Sequence, residues 1–127
     1  MLIKIDFESD TPLYIQLKRQ LIQGIARGQL KQGESLPSVR QLAEDIGINM
    51  HTVNKAYNLL KQDGYVSIDR RKGAMVNRSI GEPGEDYMSE LKEELSAIIA
   101  EAYTKGVKRE EFKKICHDIF IEYEGNK

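Results

Sequence analysis

The stretch GINMHTVNKAYNLL, Gly47–Leu60, decides how this chain folds. Asn49 is a capping residue type, and behind it apolar residues recur at Val53, Ala56, Tyr57 and Leu60, the spacing of one buried helix face. A helix running to Asp63 is therefore expected. Just upstream, Ser38 stands at a second capping position before VRQLAEDI, with Val39, Leu42, Ala43 and Ile46 on one side and Gly47 as its stop. Helices separated only by Gly47, Ile48 and Asn49 cannot lie side by side. They must cross steeply, which is helix-turn-helix geometry.

On a wheel of about 100° per residue, His51, Asn54, Lys55 and Asn58 fall opposite the apolar stripe. Met50 and Lys61 lie at one margin and Thr52 at the other. Asn pairs bidentately with adenine, Thr bonds a base or a phosphate, and Met or Thr methyls meet the thymine methyl. The stretch holds no arginine, and Lys55 is its single full charge. A polar outer face is ordinary for a surface helix, so its neighbours must decide what it does.

Those neighbours are basic. Arg40 projects from the shorter helix, and Ser38 sits at that helix's N-terminus, where free amides favour a phosphate. After Asp63-Gly64, YVSID alternates as a half-buried strand does, RRKG turns, and AMVN returns. Arg70, Arg71 and Lys72 can approach a DNA backbone from that tip, and Gly73 carries no side chain to block a minor groove. Helix-turn-helix followed by a basic hairpin is the order of a winged helix.

Ahead of this unit, Leu2, Ile3 and Ile5 predict a short strand or a packed arm. Thr11 offers a capping hydroxyl, Pro12 suits a first helical position, and Leu13, Leu17, Leu21 and Ile25 form a helical stripe with Tyr14 and Ile22 beside it. Gly28 should stop that helix, and Leu30 to Pro37 reads as a loop. Behind the hairpin, NRSIGEPGE reads as a linker. Two amphipathic helices follow. One aligns Leu91, Leu95, Ile98 and Ala102, the other Phe112, Ile115, Ile119 and Phe120, with Gly106 between them. So short a pair buries little surface alone, and its apolar faces need a partner, most simply the same pair from a second chain. The expected class is mainly α with a small β-hairpin: a winged helix-turn-helix over 1–76, a linker over 77–85 and a two-helix dimerisation tail over 86–127.

Composition agrees. The chain has 127 residues, 40% hydrophobic and 31% charged, which is ordinary for one soluble globular domain with an appendage. The net charge of −1 hides an asymmetry. Residues 1–76 carry eleven Lys and Arg against eight Asp and Glu, a net +3; residues 77–127 carry eight against twelve, a net −4. No apolar run is long enough for a bilayer, and MLIKIDFESD lacks the pattern of a secretory signal, so a cytoplasmic location is expected.

Catalysis finds no constellation: no glycine-rich phosphate loop, no Cys-x-x-Cys and no His-Glu-x-x-His. Cys116 and His117 point about 100° apart on a helix and share no metal; Cys116 reads as core. Neither a cofactor nor a metal is expected.

Three segments carry a family resemblance: PLYIQL (Pro12–Leu17), LPSVRQLAEDIGINMHTVNKAYNLLKQDGYV (Leu36–Val66) and RRKGAMV (Arg70–Val76). Together they resemble the GntR family of bacterial winged-helix regulators. The opening IDFESDTPLY and the tail, including AYTKGVKREEF (Ala102–Phe112), look like its YtrA-type subfamily. The resemblance implies a homodimeric transcription factor, usually a repressor, on an inverted-repeat operator of double-stranded DNA, with ABC transporter genes among its targets. By position it implies a DNA-contacting Arg40 with Ser38 at its helix start, reading roles for Met50, His51, Thr52 and Asn54, and a wing-tip Gly73. Many members have Arg or Pro at Met50 and Arg at Asn54, and their wing is commonly GxGTFV-like. A family operator sequence therefore does not transfer, and the missing arginines point to an A·T-leaning site.

Two rival readings stay in view. A winged helix used only for protein contact predicts weak, salt-insensitive interaction with DNA. A small-molecule effector would need a pocket shared between copies, because one short tail hardly encloses the ~300 Å³ or more of a usual site.

Overall fold

The computed structural model describes residues 2–125 and contains five helices and one hairpin: α1 (Leu13–Ala26), α2 (Val39–Ile46), α3 (Met50–Gln62), β1 (Val66–Asp69), β2 (Gly73–Val76), α4 (Glu85–Thr104) and α5 (Arg109–Glu124). The chain divides into two compact units, Met1–Ile80 and Gly81–Lys127. The first continues past β2 because Asn77 is still tied into it: its amide nitrogen donates to Tyr65 O at 2.9 Å and its side chain to Gly64 O at 2.6 Å.

In the first unit the apolar stripes meet as their spacing requires. Leu17 and Leu21 of α1, Leu42 and Ala43 of α2, and Val53, Ala56, Tyr57 and Leu60 of α3 are buried together with Val66, Ala74 and Val76 of the hairpin. Truncating a residue as enclosed as Leu17 or Leu60 to alanine costs about 2–5 kcal/mol, because the cavity only partly closes. Ser38 caps α2, its Oγ accepting from Gln41 N at 3.1 Å, and Asn49 caps α3, its Oδ1 accepting from His51 N at 2.7 Å. Gly47 ends α2 at φ +70°, a conformation that side chains disfavour.

Two details depart from the sequence expectations, and a third settles an open choice. The cap of α1 is Pro12 and not Thr11, and no side chain bonds the end; the ring's fixed φ, here −54°, sets the entry instead. Of the short strand or packed arm open to residues 2–5, the chain takes the arm. Gln16 and Gln20, one turn apart on α1, act as its ladder: Gln20 exchanges bonds with Lys4 N and O, and Gln16 with Asp6 N and O. Ile3 and Ile5 alternate inward onto the core. Finally, the loop from Leu30 to Pro37 pairs with the free edge of β2. Ser35 bridges Met75, Gly33 N donates to Val76 O at 2.8 Å and Leu36 N to Ala74 O at 2.8 Å. The hairpin is thus held on both sides of β2, with β1 in register Val66↔Val76 to Asp69↔Gly73.

The second unit is α4 and α5 joined at Gly106, which has φ +88°. Neither helix buries a residue. Leu91, Leu95, Ile98, Ile115, Ile119 and Phe120 are exposed, and Ala102 and Phe112 are half-buried at the corner. Cys116, expected in a core, is half-buried for the same reason. Beside that corner Ile99, Ala102, Tyr103, Val107 and Phe112 line an open hollow of about 600 Å³, which the single tail does not enclose.

Candidate nucleic-acid interface

The site is built from α3 outward. Its inner face is fixed by the core, and its one buried polar group is used to hold a neighbour. Tyr57 Oη donates to Pro37 O at 2.7 Å, immediately before the cap of α2. Burial pushes the Tyr57 hydroxyl well above its usual range, because a phenolate there would be poorly solvated. This bond sets the start of α2, with Ser38 and Arg40, against the middle of α3. The sequence reading placed Tyr57 on the apolar stripe and missed this tether; the signal was a buried tyrosine, whose hydroxyl needs a partner.

The outer face of α3 exposes Met50, His51, Asn54, Lys55, Asn58 and Lys61, with Thr52 half-buried at the margin. His51, Asn54 and Asn58 are free to present donors and acceptors. Lys55 does otherwise. Its Nζ lies 3.9 Å from the centroid of the Tyr14 ring on α1, a cation–π contact that turns the charge sideways, away from its expected place on the outer face.

Cations flank this face on two sides. Arg40 is exposed on α2, and Arg70, Arg71 and Lys72 are exposed at the hairpin tip; among the described residues none of the four forms an ion pair. The tip is shaped by Asp69, which sequence reasoning passed over. Asp69 Oδ1 accepts from Arg71 N at 2.7 Å and Lys72 N at 3.1 Å, closing a turn completed by Gly73 at φ +74°. These amides hold the Asp69 carboxyl below its usual range, Arg71 foremost. An Asx turn of this kind was legible as an Asp immediately ahead of a basic tip.

The remaining sequence-named residues form no catalytic group. Among the described residues no cluster of His, Cys, Asp or Glu could hold a metal ion, and no helix is long and apolar enough to cross a membrane.

A polar helix face on a helix-turn-helix, backed by a cation-tipped β-wing, defines the class: a winged helix-turn-helix DNA-binding domain of the kind carried by transcription regulators. The model of the bacterial regulatory proteins of the gntR family matches residues 13–76. Along 127 residues the chain is 34% identical to the HTH-type transcriptional repressor YtrA of Bacillus subtilis, covering 99% of this chain and 98% of that one. Among solved structures, a transcriptional antiterminator from Listeria monocytogenes superposes with a TM-score of 0.85 at 27% identity, over 94% of this chain and 90% of the other. YtrA from Sulfolobus acidocaldarius, a GntR-family transcription factor, is 40% identical with a TM-score of 0.62, over 82% of this chain and 99% of its own. The chain belongs to the GntR family of bacterial regulators, and within it is of the YtrA type. It is a transcription regulator and not an enzyme.

Proposed function

We propose that this regulator represses transcription in the cytoplasm as a homodimer, with each copy laying α3 in the major groove of one half of an inverted-repeat operator. The observation that carries the reading is the division of the surface. Uncharged groups sized for base edges occupy α3, while unpaired cations stand on either side of it. Arg40 and the wing cations supply sequence-independent affinity through phosphates; His51, Thr52 and Asn54, with Met50, supply choice. Ser38 lends the amides at the start of α2 to the backbone, and Gly73 lets the wing come close.

The exposed apolar rows of α4 and α5 support self-association. Leu91, Leu95 and Ile98 on one helix and Ile115, Ile119 and Phe120 on the other all stand exposed, more large apolar side chains than so short a tail is expected to leave to water. Two-fold symmetry then places half-sites about 10 bp apart, or a multiple of that. With no arginine on the reading face, the site leans to A·T pairs. Control of ABC transporter genes follows from the family resemblance alone.

Selection of bound duplexes from a random pool tests the reading. It should return a two-fold-related sequence with A·T-rich half-sites. A pool that enriches for nothing, or binding that ignores salt, contradicts it.

A further inference from the structure

On the reading that α3 enters a groove, we infer that Tyr14 is a positioning residue for DNA binding. Its ring holds the Lys55 ammonium at the junction of α1 and α3 as a preset phosphate clamp.

Lys55 is the only full charge among the central residues of the reading face, and a free lysine there would sweep across the base-edge positions of His51, Asn54 and Asn58. Its Nζ is instead found 3.9 Å from the Tyr14 centroid. Tyr14 is half-buried beside the core, so its ring is a fixed platform. Lys55 itself is exposed, and an ammonium resting on one ring face keeps its other donors turned to solvent. A lysine otherwise gives up its rotamer freedom when it docks on a phosphate. Here that ordering is already present in the free protein. The same contact removes the charge from the bases, which leaves neutral side chains to discriminate among them. The sideways direction also takes the ammonium to the rim of α3, where a helix lying in a groove is flanked by backbone phosphates and not by base edges.

The test compares the full chain with Tyr14→Phe, Tyr14→Leu and Lys55→Gln, on the pool-selected operator and on a random duplex, across a salt series. Tyr14→Phe keeps the ring face and should bind as the parent does. Tyr14→Leu keeps an apolar core side chain but loses the ring; its affinity for both duplexes should fall by roughly two- to five-fold, the range a surface cation–π contact is worth. Lys55→Gln should weaken both duplexes and lower the salt slope by about one. The double variant Tyr14→Leu/Lys55→Gln should be no weaker than Lys55→Gln alone. In the free protein, the Lys55 Hε proton resonances should be shifted upfield by the ring, unchanged in Tyr14→Phe and normal in Tyr14→Leu. Tyr14→Leu that melts like the parent yet binds like it overturns the inference while leaving the functional reading intact. So does an additive double variant, or failure of Tyr14→Phe to rescue. If the parent itself prefers no duplex, the functional reading fails and the clamp with it.

Discussion

Tyr57 Oη, in the middle of α3, donates a 2.7 Å hydrogen bond to Pro37 O, the carbonyl just ahead of the α2 cap. One side chain thus ties the helix that presents Asn54 to the segment that presents Ser38 and Arg40. The spacing between the proposed reading groups and the proposed phosphate-holding groups becomes a property of the packed interior.

Tyr57→Phe should therefore act in two places. Loss of the donor leaves Pro37 O without that partner and costs about 1–2 kcal/mol of stability, read by thermal melting. Operator affinity should fall although Tyr57 is buried in the core and not on the reading face. The parent should also lose stability as pH rises above about 10, because burial holds the folded hydroxyl above the value it has in the unfolded chain, so unfolding releases a proton there. Below that pH the contribution is complete. In a spectrophotometric titration, Tyr57 should ionise only as the chain unfolds.

Gly47→Ala isolates the turn of the helix-turn-helix. Gly47 has φ +70°, and nothing lies within 4 Å of where a Cβ would stand, so crowding does not enter. The cost is conformational, about 1–2 kcal/mol, and a chemical denaturation curve should show it with an unchanged m-value.

Asp69→Ala should unfasten the wing tip. Without the acceptor for Arg71 N and Lys72 N, the three cations lose their fixed spacing. Affinity for operator and random DNA should fall together by several-fold, while the melting temperature barely moves because Asp69 is fully exposed. Amide exchange at Arg71 and Lys72 should quicken in the variant. In the parent the same quickening should follow as pH drops through the carboxylate range, since the depressed Asp69 value means its contribution is present above about 4 and lost below.

The scaffold of this site was legible because it is written in local patterns. The stripe Val53, Ala56, Tyr57, Leu60 and the capping types Ser38 and Asn49 each name an element and its end. What escaped was written in distant pairs. Gln16 and Gln20 hold an arm ten and sixteen residues back, Ser35 pairs with Met75, and Lys55 turns to Tyr14. No periodicity encodes such partners, which exist only once the core has brought them together. Pro12 displaced Thr11 at the α1 cap because a fixed φ needs no side-chain bond.

Ile98→Asp and Phe120→Asp probe the tail. Both residues are exposed in the single chain, 56% and 65%, so neither change should disturb its folding. Each places a charge where two copies are proposed to meet. Light scattering should show the dimer of the parent giving way to monomer, and operator affinity should fall because two half-sites are no longer held together. Monomeric behaviour in the parent itself would remove the dimer from the account.

The most direct test sets Asn54→Ala beside Arg71→Ala on the selected operator and on a random duplex across a salt series. Asn54→Ala should shrink the ratio of operator to random affinity, about ten-fold or more for a lost bidentate base contact, with little change in salt slope. Arg71→Ala should leave that ratio in place, weaken both duplexes and lower the slope by about one. An Asn54→Ala variant that keeps the parent's ratio would contradict the claim that α3 reads the sequence.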